Sequence, residues 1–277
     1  MRYSNIMKSF TTNIKKEKPY KCILCDSSDE CFTTIEHIVP HSLGNNFLTL
    51  DKGWVCDKCN NICSGFESRA LNNSSLGFQK VLMGHKTKKG KQPKATYNHI
   101  EWFSHGTKKN TISIDLNEKR LNKNPFVKYS IENNTKAFLQ LAHNKFDIDI
   151  GKLLLKIGIE MIYSLSLNSS NNLDVAKKFI LNDENKSWPY LLIQEKGFQL
   201  KSLFGPSKFI HSHALASNFD IFMYENQINE LIFLFSYGYF LYAINPCSKD
   251  LNWLDELKNN NFKFVAFPVE FSKFSNT

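Results

Sequence analysis

The sequence contains no uninterrupted apolar run of the roughly 18–20 residues that a membrane-spanning helix needs. Its richest stretch, 231–244, is broken by Ser236 and Gly238. The opening residues, MRYSNIMKSF, have no apolar segment of the kind that marks a secretory signal. Membrane-spanning and secreted classes are therefore set aside, and a cytoplasmic location is the expectation. Wholesale disorder is excluded as well, because 42% of the 277 residues are hydrophobic and 13% aromatic. Charge is unbalanced in one half only. Residues 1–125 carry 20 Lys+Arg against 11 Asp+Glu, whereas 126–277 carry 15 of each, so the whole formal charge of +9 lies in the first half. A basic half joined to a neutral half fits contact with a polyanion, DNA or RNA; a lysine-rich solvated surface is the plainer alternative.

An even set of cysteines is also missing. There are seven, and six of them fall between Cys22 and Cys63. In a reducing compartment such thiols stay free or bind metal. Cys22-Ile-Leu-Cys25 and Cys56-Asp-Lys-Cys59 are two C-x2-C knuckles separated by 30 residues. Each knuckle places two sulfurs on one tight turn, and two knuckles complete a tetrahedral S4 shell suited to a structural Zn2+. Cys31 and Cys63 are surplus to that shell and are expected as small buried side chains. Cys247 stands alone in the second half.

The segment between the knuckles reads as strand, loop, strand, helix. Phe32–Ile35 alternates toward Glu36-His37-Ile38-Val39, where Pro40 ends the strand. Leu43-Gly44-Asn45-Asn46 is a turn signal, and Trp54-Val55 leads back to the second knuckle. Apolar residues at 62, 66, 70 and 71 then follow helical spacing despite Gly65.

The string Glu36-His37-Ile38-Val39-Pro40-His41-Ser42-Leu43-Gly44-Asn45, followed by Cys56-Asp57-Lys58-Cys59-Asn60-Asn61, resembles the HNH endonuclease family of the ββα-metal superfamily. It is closest to the bacterial branch with two C-x2-C knuckles, and it covers residues 20–75, roughly a fifth of the chain. The resemblance implies that His37 is the general base and that Glu36 and Asn60 hold a catalytic Mg2+ or Mn2+. It further implies that the position that pins the loop falls on Asp51, which lies 14 residues after His37 and 9 before Asn60. Asp at that position departs from the family's Asn, because it cannot donate as an amide does; Asn45 or Asn46 are the alternatives for that role.

These residue types suit phosphodiester hydrolysis on chemical grounds too. An imidazole of ordinary pKa near 6.5 takes a proton from water around neutrality. One carboxylate and one amide oxygen suit a hard divalent ion. Neighbouring residues on an extended strand point to opposite sides, however, so Glu36 and His37 require a twist or bulge to flank one phosphate. His41 is read as exposed or in contact with phosphate. Glu67, two helical turns beyond Asn60, is read as a carboxylate near the metal or a solvated helix residue.

Residues 84–94, GHKTKKGKQPK, read as a basic loop or linker, in which Lys86, Lys88, Lys89, Lys91 and Lys94 would contact phosphates without reading bases, or would simply be solvated. Lys108-Lys109 and Lys119-Arg120 extend that surface through expected strands 97–103 and 111–116. In the second half, 150–163 reads as a buried helix and 173–181 as an amphipathic one. Strands are expected at 190–194, 198–203, 209–215, 219–224, 230–235, 239–244 and 262–267.

The fold class is therefore α+β: a zinc-stapled ββα-metal (HNH) domain over 1–83, a basic extension over 84–125, and an accessory domain over 126–277 with helices on a mainly antiparallel sheet. The expected function is metal-dependent endonuclease cleavage of DNA, with RNA an open alternative and a setting in restriction or anti-phage defence by family habit. The competing expectation is a zinc-stabilised nucleic-acid-binding module without catalysis. A homodimer, or a separate sensor or activator protein, is the further partner that this family leaves open.

Overall fold

The computed structural model describes residues 19, 21–87, 89–97, 100–104, 112–115, 127–132, 136–141, 147–165, 173–182, 187–194, 209–214, 219–225, 230–238, 240–255 and 263–275. It is a mixed α+β fold whose strand pairings are all antiparallel. The expected strand at 198–203 and the lysine and arginine pairs at 108–109 and 119–120 lie outside the described residues.

Strands β1 (Glu36–His37) and β2 (Thr49–Leu50) form a ribbon that leads into helix α1 (Asp57–Asn73). Cys56 caps α1, its sulfur accepting the Cys59 N–H, and Asp57 places a negative charge in the first turn. Cys59, Cys63, Phe66 and Ala70 fall at spacings of three and four and form the buried stripe. Ser74 ends this helix and starts α2 (Ser75–Met83), its hydroxyl accepting the Leu76 N–H. Gly84 closes α2 at φ 73°, in the left-handed region where glycine carries no Cβ penalty. Beyond it, β3 (Lys94–Tyr97), β4 (Ile100–Ser104) and β5 (Ile112–Asp115) make a three-stranded sheet. Tyr97 pairs with Ile100, so the chain reverses inside the segment expected as one strand over 97–103. Ala95, Tyr97, Ile100 and Trp102 pack there against Val81 and Phe78 of α2. A separate hairpin pairs β6 (Val127–Glu132) with β7 (Lys136–Leu141).

Helix α3 (Asp147–Ser164) is buried almost all the way round, as an apolar helix without a polar face must be. No described helix is long and apolar enough to cross a membrane. Helix α4 (Asp174–Leu181) follows it. The remaining strands are β8 (Tyr190–Gln194), β9 (Phe209–Ala214), β10 (Phe219–Glu225), β11 (Leu231–Tyr237), β12 (Phe240–Ile244) and β13 (Lys263–Phe267), in the order β13-β8-β12-β11-β10-β9. On β11, Phe233, Phe235 and Tyr237 join the core that contains α3, while Ile232 and Leu234 pack with Trp253, Leu254 and Phe264 on the other face. Alternation explains the split, since successive side chains point to opposite faces. Both faces are covered, which is why β11 reads as a continuous apolar run rather than an alternating one.

One apolar cluster runs from Cys22 and Val55 through α1, α3 and α4 onto the sheet. Ionic contacts cross the same junction. Arg69 of α1 donates two hydrogen bonds to Asp149 of α3, Nε to Oδ2 at 3.0 Å and Nη2 to Oδ1 at 2.9 Å. Lys177 of α4 reaches Asp26 beside the first knuckle at 3.1 Å. Two glycines let α3 approach the sheet. A Cβ at Gly158 would lie 3.2 Å from Phe233 Cγ, and one at Gly151 would lie 3.3 Å from the Trp188 carbonyl oxygen.

Gly158→Val should therefore push α3 off β11 and lower stability by about 1–3 kcal/mol, read as a reduced urea midpoint. Gly65→Ala, whose new Cβ would meet only Arg69 Nη1 at 3.7 Å, should be neutral or raise stability by up to about 1 kcal/mol.

Candidate functional site

The knuckles come together as expected. One Sγ from each of Cys22, Cys25, Cys56 and Cys59 lies within 4.8 Å of all the others. Cys25 Sγ and Cys56 Sγ are 3.8 Å apart, and a tetrahedron with ~2.3 Å Zn–S bonds has edges of about 3.8 Å. The turns are built for sulfur: the Cys56 N–H points to Cys22 Sγ and the Cys59 N–H to Cys56 Sγ, both at 3.4 Å. Ile23 N–H donates to the Trp54 carbonyl at 3.0 Å and Asp57 N–H to the Cys31 carbonyl at 2.8 Å, which holds the two knuckles side by side.

Crowding also makes the sulfurs acidic unevenly. The Cys59 thiol donates to Cys22 and holds it as a thiolate down to about 4. Burial pushes Cys56 up to about 11, with the Cys22 charge adding to it. Cys59, as the donor to Cys22, is raised further. A dication removes this conflict, because it stabilises all four thiolates at once. Among the described residues, no other group of His, Cys, Asp or Glu side chains is gathered closely enough to hold an ion.

The ribbon above the cluster has two residues per strand, with Glu36 opposite Leu50 and His37 opposite Thr49. Its register has no bulge, so Glu36 and His37 take opposite faces. His37 is half-buried and meets the His41 ring edge-on, with centroids 5.9 Å apart. His41 opens a 3-10 turn (His41–Leu43) that Gly44 closes at φ 90°. That turn is the one signalled by Leu43-Gly44. His41 is half-buried rather than exposed.

The loop-pinning role expected at Asp51 falls to Asn45. Asp51 is exposed. Asn45 is fully buried, donating to the carbonyls of Val39 and Leu48 and accepting from the N–H groups of Phe47 and Leu48. Four bonds from one side chain need both donor and acceptor atoms, which an aspartate does not have. Asn46 is exposed.

Glu36 is 5% exposed and faces α1 and α3, where it is ion-paired with Lys156. Lys156 Nζ also reaches Glu67 at 2.7 Å and Glu160 at 3.5 Å, and donates to the His37 carbonyl at 3.1 Å. Burial works against the ammonium, but Glu160, Glu67 and Glu36 outweigh it and hold Lys156 well above the usual lysine range. Burial raises the Glu160 carboxyl well above the usual range, with Glu36 and Glu67 adding to the effect and Lys156 opposing it. Cys63 is buried beside this cluster as expected, whereas Cys31 is exposed, its carbonyl rather than its sulfur contacting α1.

Asn60 is half-buried in the first turns of α1 and its amide nitrogen donates to Thr34 Oγ1 at 3.0 Å, leaving the amide oxygen available. The Asp57 carboxylate accepts from the N–H and hydroxyl groups of both Thr33 and Thr34, and these bonds hold it below the ordinary carboxylate range. Tested as a ligand pair for a divalent ion, Asn60 fits and Glu36 does not, because Glu36 is turned inward and already neutralised by a lysine.

Of the basic residues, Lys86, Lys89, Lys91 and Lys94 are exposed, and Lys88 lies outside the described residues. The segment is shaped by a turn in which Thr87 N–H donates to the Lys91 carbonyl at 2.9 Å and Gly90 N–H to the Thr87 carbonyl at 2.8 Å. Lys156 and Glu160 were not singled out by sequence. The available signal was a Lys–Glu pair at i,i+4 inside a helix with no polar face, since buried charges require partners. No protein-family model matches the chain, and neither the curated proteins nor the solved structures give a match.

Asn45→Ala should cost about 2–4 kcal/mol, because buried N–H and C=O groups lose their partners. Asp51→Ala should stay within about 0.5 kcal/mol of wild type. Thermal and urea unfolding of the two variants side by side checks the assignment.

Proposed function

We propose that this chain is an endonuclease of the HNH kind that hydrolyses nucleic-acid phosphodiester bonds, DNA first, with His37 as general base. The observation that carries the reading is a histidine on a β-ribbon whose return strand runs into a helix, closed at its base by four cysteine sulfurs. His37 is partly open on the ribbon face away from the core and is steadied by the ring of His41. A neutral imidazole there can take a proton from an attacking water near pH 7. Lys86, Lys89, Lys91 and Lys94 supply the exposed positive charge that a phosphate backbone requires. The four-cysteine cluster takes structural Zn2+. Cleavage would depend on Mg2+ or Mn2+, to which Asn60 would offer its amide oxygen.

The inward turn of Glu36 favours a second reading, a zinc-stabilised nucleic-acid-binding module without catalysis. The two part company in one assay on supercoiled plasmid, run with Mg2+, with Mn2+ and with a chelator. The nuclease reading expects nicking or linearisation by wild type, loss of at least about 100-fold in His37→Ala, and unchanged zinc content and DNA affinity. Cys56→Ser should instead lose zinc and stability together, because metal binding supplies folding free energy. Retained DNA binding with equal inactivity of wild type and His37→Ala would favour the binding module.

A further inference from the structure

The carboxylate that precedes His37 is not aimed where His37 works. It is bound from behind by Lys156, whose side chain is fully buried and which belongs to α3, 120 residues further along the chain. Its ammonium makes two contacts on β1: the Glu36 carboxylate and the His37 carbonyl oxygen. These are the only two residues of the strand. Two backbone pairs alone do not hold a ribbon in water. The same ammonium also ties down Glu67 of α1 at 2.7 Å. A buried lysine therefore links the strand, the helix after the second knuckle and the helix of the second half at one atom. Glu36 and Glu67, both against its ammonium, supply the counter-charge that a buried lysine needs.

We propose that Lys156 is a positioning residue for His37, and that Glu36 serves as its counter-ion rather than as a metal ligand. The inference rests on the nuclease reading for its effect on rate, and on the structure alone for its effect on the strand. By fixing the His37 carbonyl and the preceding side chain on the core face, Lys156 sets the backbone from which the imidazole projects on the other face. Movement of α3 is thereby transmitted to the base. A displacement of the order of 1 Å at such a group can lower a rate about 100-fold.

The test compares Lys156→Met, Lys156→Arg and Glu36→Gln with Arg69→Met, which breaks a different ion pair between the same two helices. Cleavage kinetics on plasmid and hydrogen exchange of peptides spanning 33–40 are both measured. Lys156→Met should lower kcat about 10–100-fold with KM nearly unchanged, and should accelerate exchange in β1. Lys156→Arg should recover part of both. Glu36→Gln, which leaves the bond from Lys156 to the His37 carbonyl in place, should keep kcat within about 5-fold of wild type, far from the His37→Ala loss. Arg69→Met should lower thermal stability without slowing kcat or loosening β1. Parallel losses in Lys156→Met and Arg69→Met, or a Glu36→Gln loss as large as that of His37→Ala, would overturn the proposal. Should Lys156→Met fail to fold, Lys156→Arg takes its place: a lower kcat with faster exchange in β1 is expected, and wild-type values of both would overturn the proposal. If wild type does not cleave at all, the nuclease reading fails and exchange alone decides. Faster exchange in β1 for Lys156→Met but not for Arg69→Met keeps Lys156 as the anchor of the strand, and unchanged exchange removes it.

Discussion

Four sulfurs gathered within 4.8 Å are the constraint on which the site depends. The ribbon between the knuckles has only two backbone pairs, and an isolated two-stranded ribbon is marginal at best in water. It persists because the chain on either side of it is fixed at one point. Cys22 and Cys25 sit before the ribbon, and Cys56 and Cys59 after it and at the start of α1. With the ends fixed, the long connection between β1 and β2 is closed by a single buried amide, Asn45. Helix α1 then grows from the second knuckle with its amino end facing the thiolates, an orientation its dipole favours.

The second constraint is ionic and comes from the other half of the chain. Lys156 contacts the ribbon, Arg69 joins α1 to α3 through Asp149, and Lys177 reaches Asp26 beside the first knuckle. The apolar core is continuous across the same junction. A charge buried in such a place is costly unless it is paired, so these contacts fix how the halves meet more than they add stability. The ribbon is therefore tied at its two ends through the knuckles and on its Glu36 side by an ammonium, with His37 half-buried on the other side.

Sequence made part of this legible. Knuckle spacing is set by local turn geometry, so the four cysteines could be read directly. Runs such as 190–194 and 240–244 could be read as strands because they pack within one sheet whose faces are both apolar. Asn45 was harder: an exposed and a buried asparagine look alike in sequence, and only closure of the loop shows that Asn45 lies within it and Asn46 outside. Spacing pointed to Asp51, but spacing carries no information about burial. Lys156 and Glu160 were hidden for a related reason. The other partners of Lys156, Glu36 and Glu67, are about a hundred residues away, and an i,i+4 pair on a helix ordinarily reads as solvated. For Glu36, strand geometry supplied only a condition, a twist or bulge if it and His37 were to flank one phosphate, and the unbulged ribbon does not meet it.

The metal coordination of the purified 277-residue chain, read by zinc content and zinc K-edge X-ray absorption, is the measurement to make. One zinc per chain is expected, with four sulfur neighbours at about 2.3 Å and no nitrogen or oxygen in the shell. A protein without zinc, or with a mixed shell that draws in a histidine, would contradict it, because the ribbon that presents His37 would then have no fixed base.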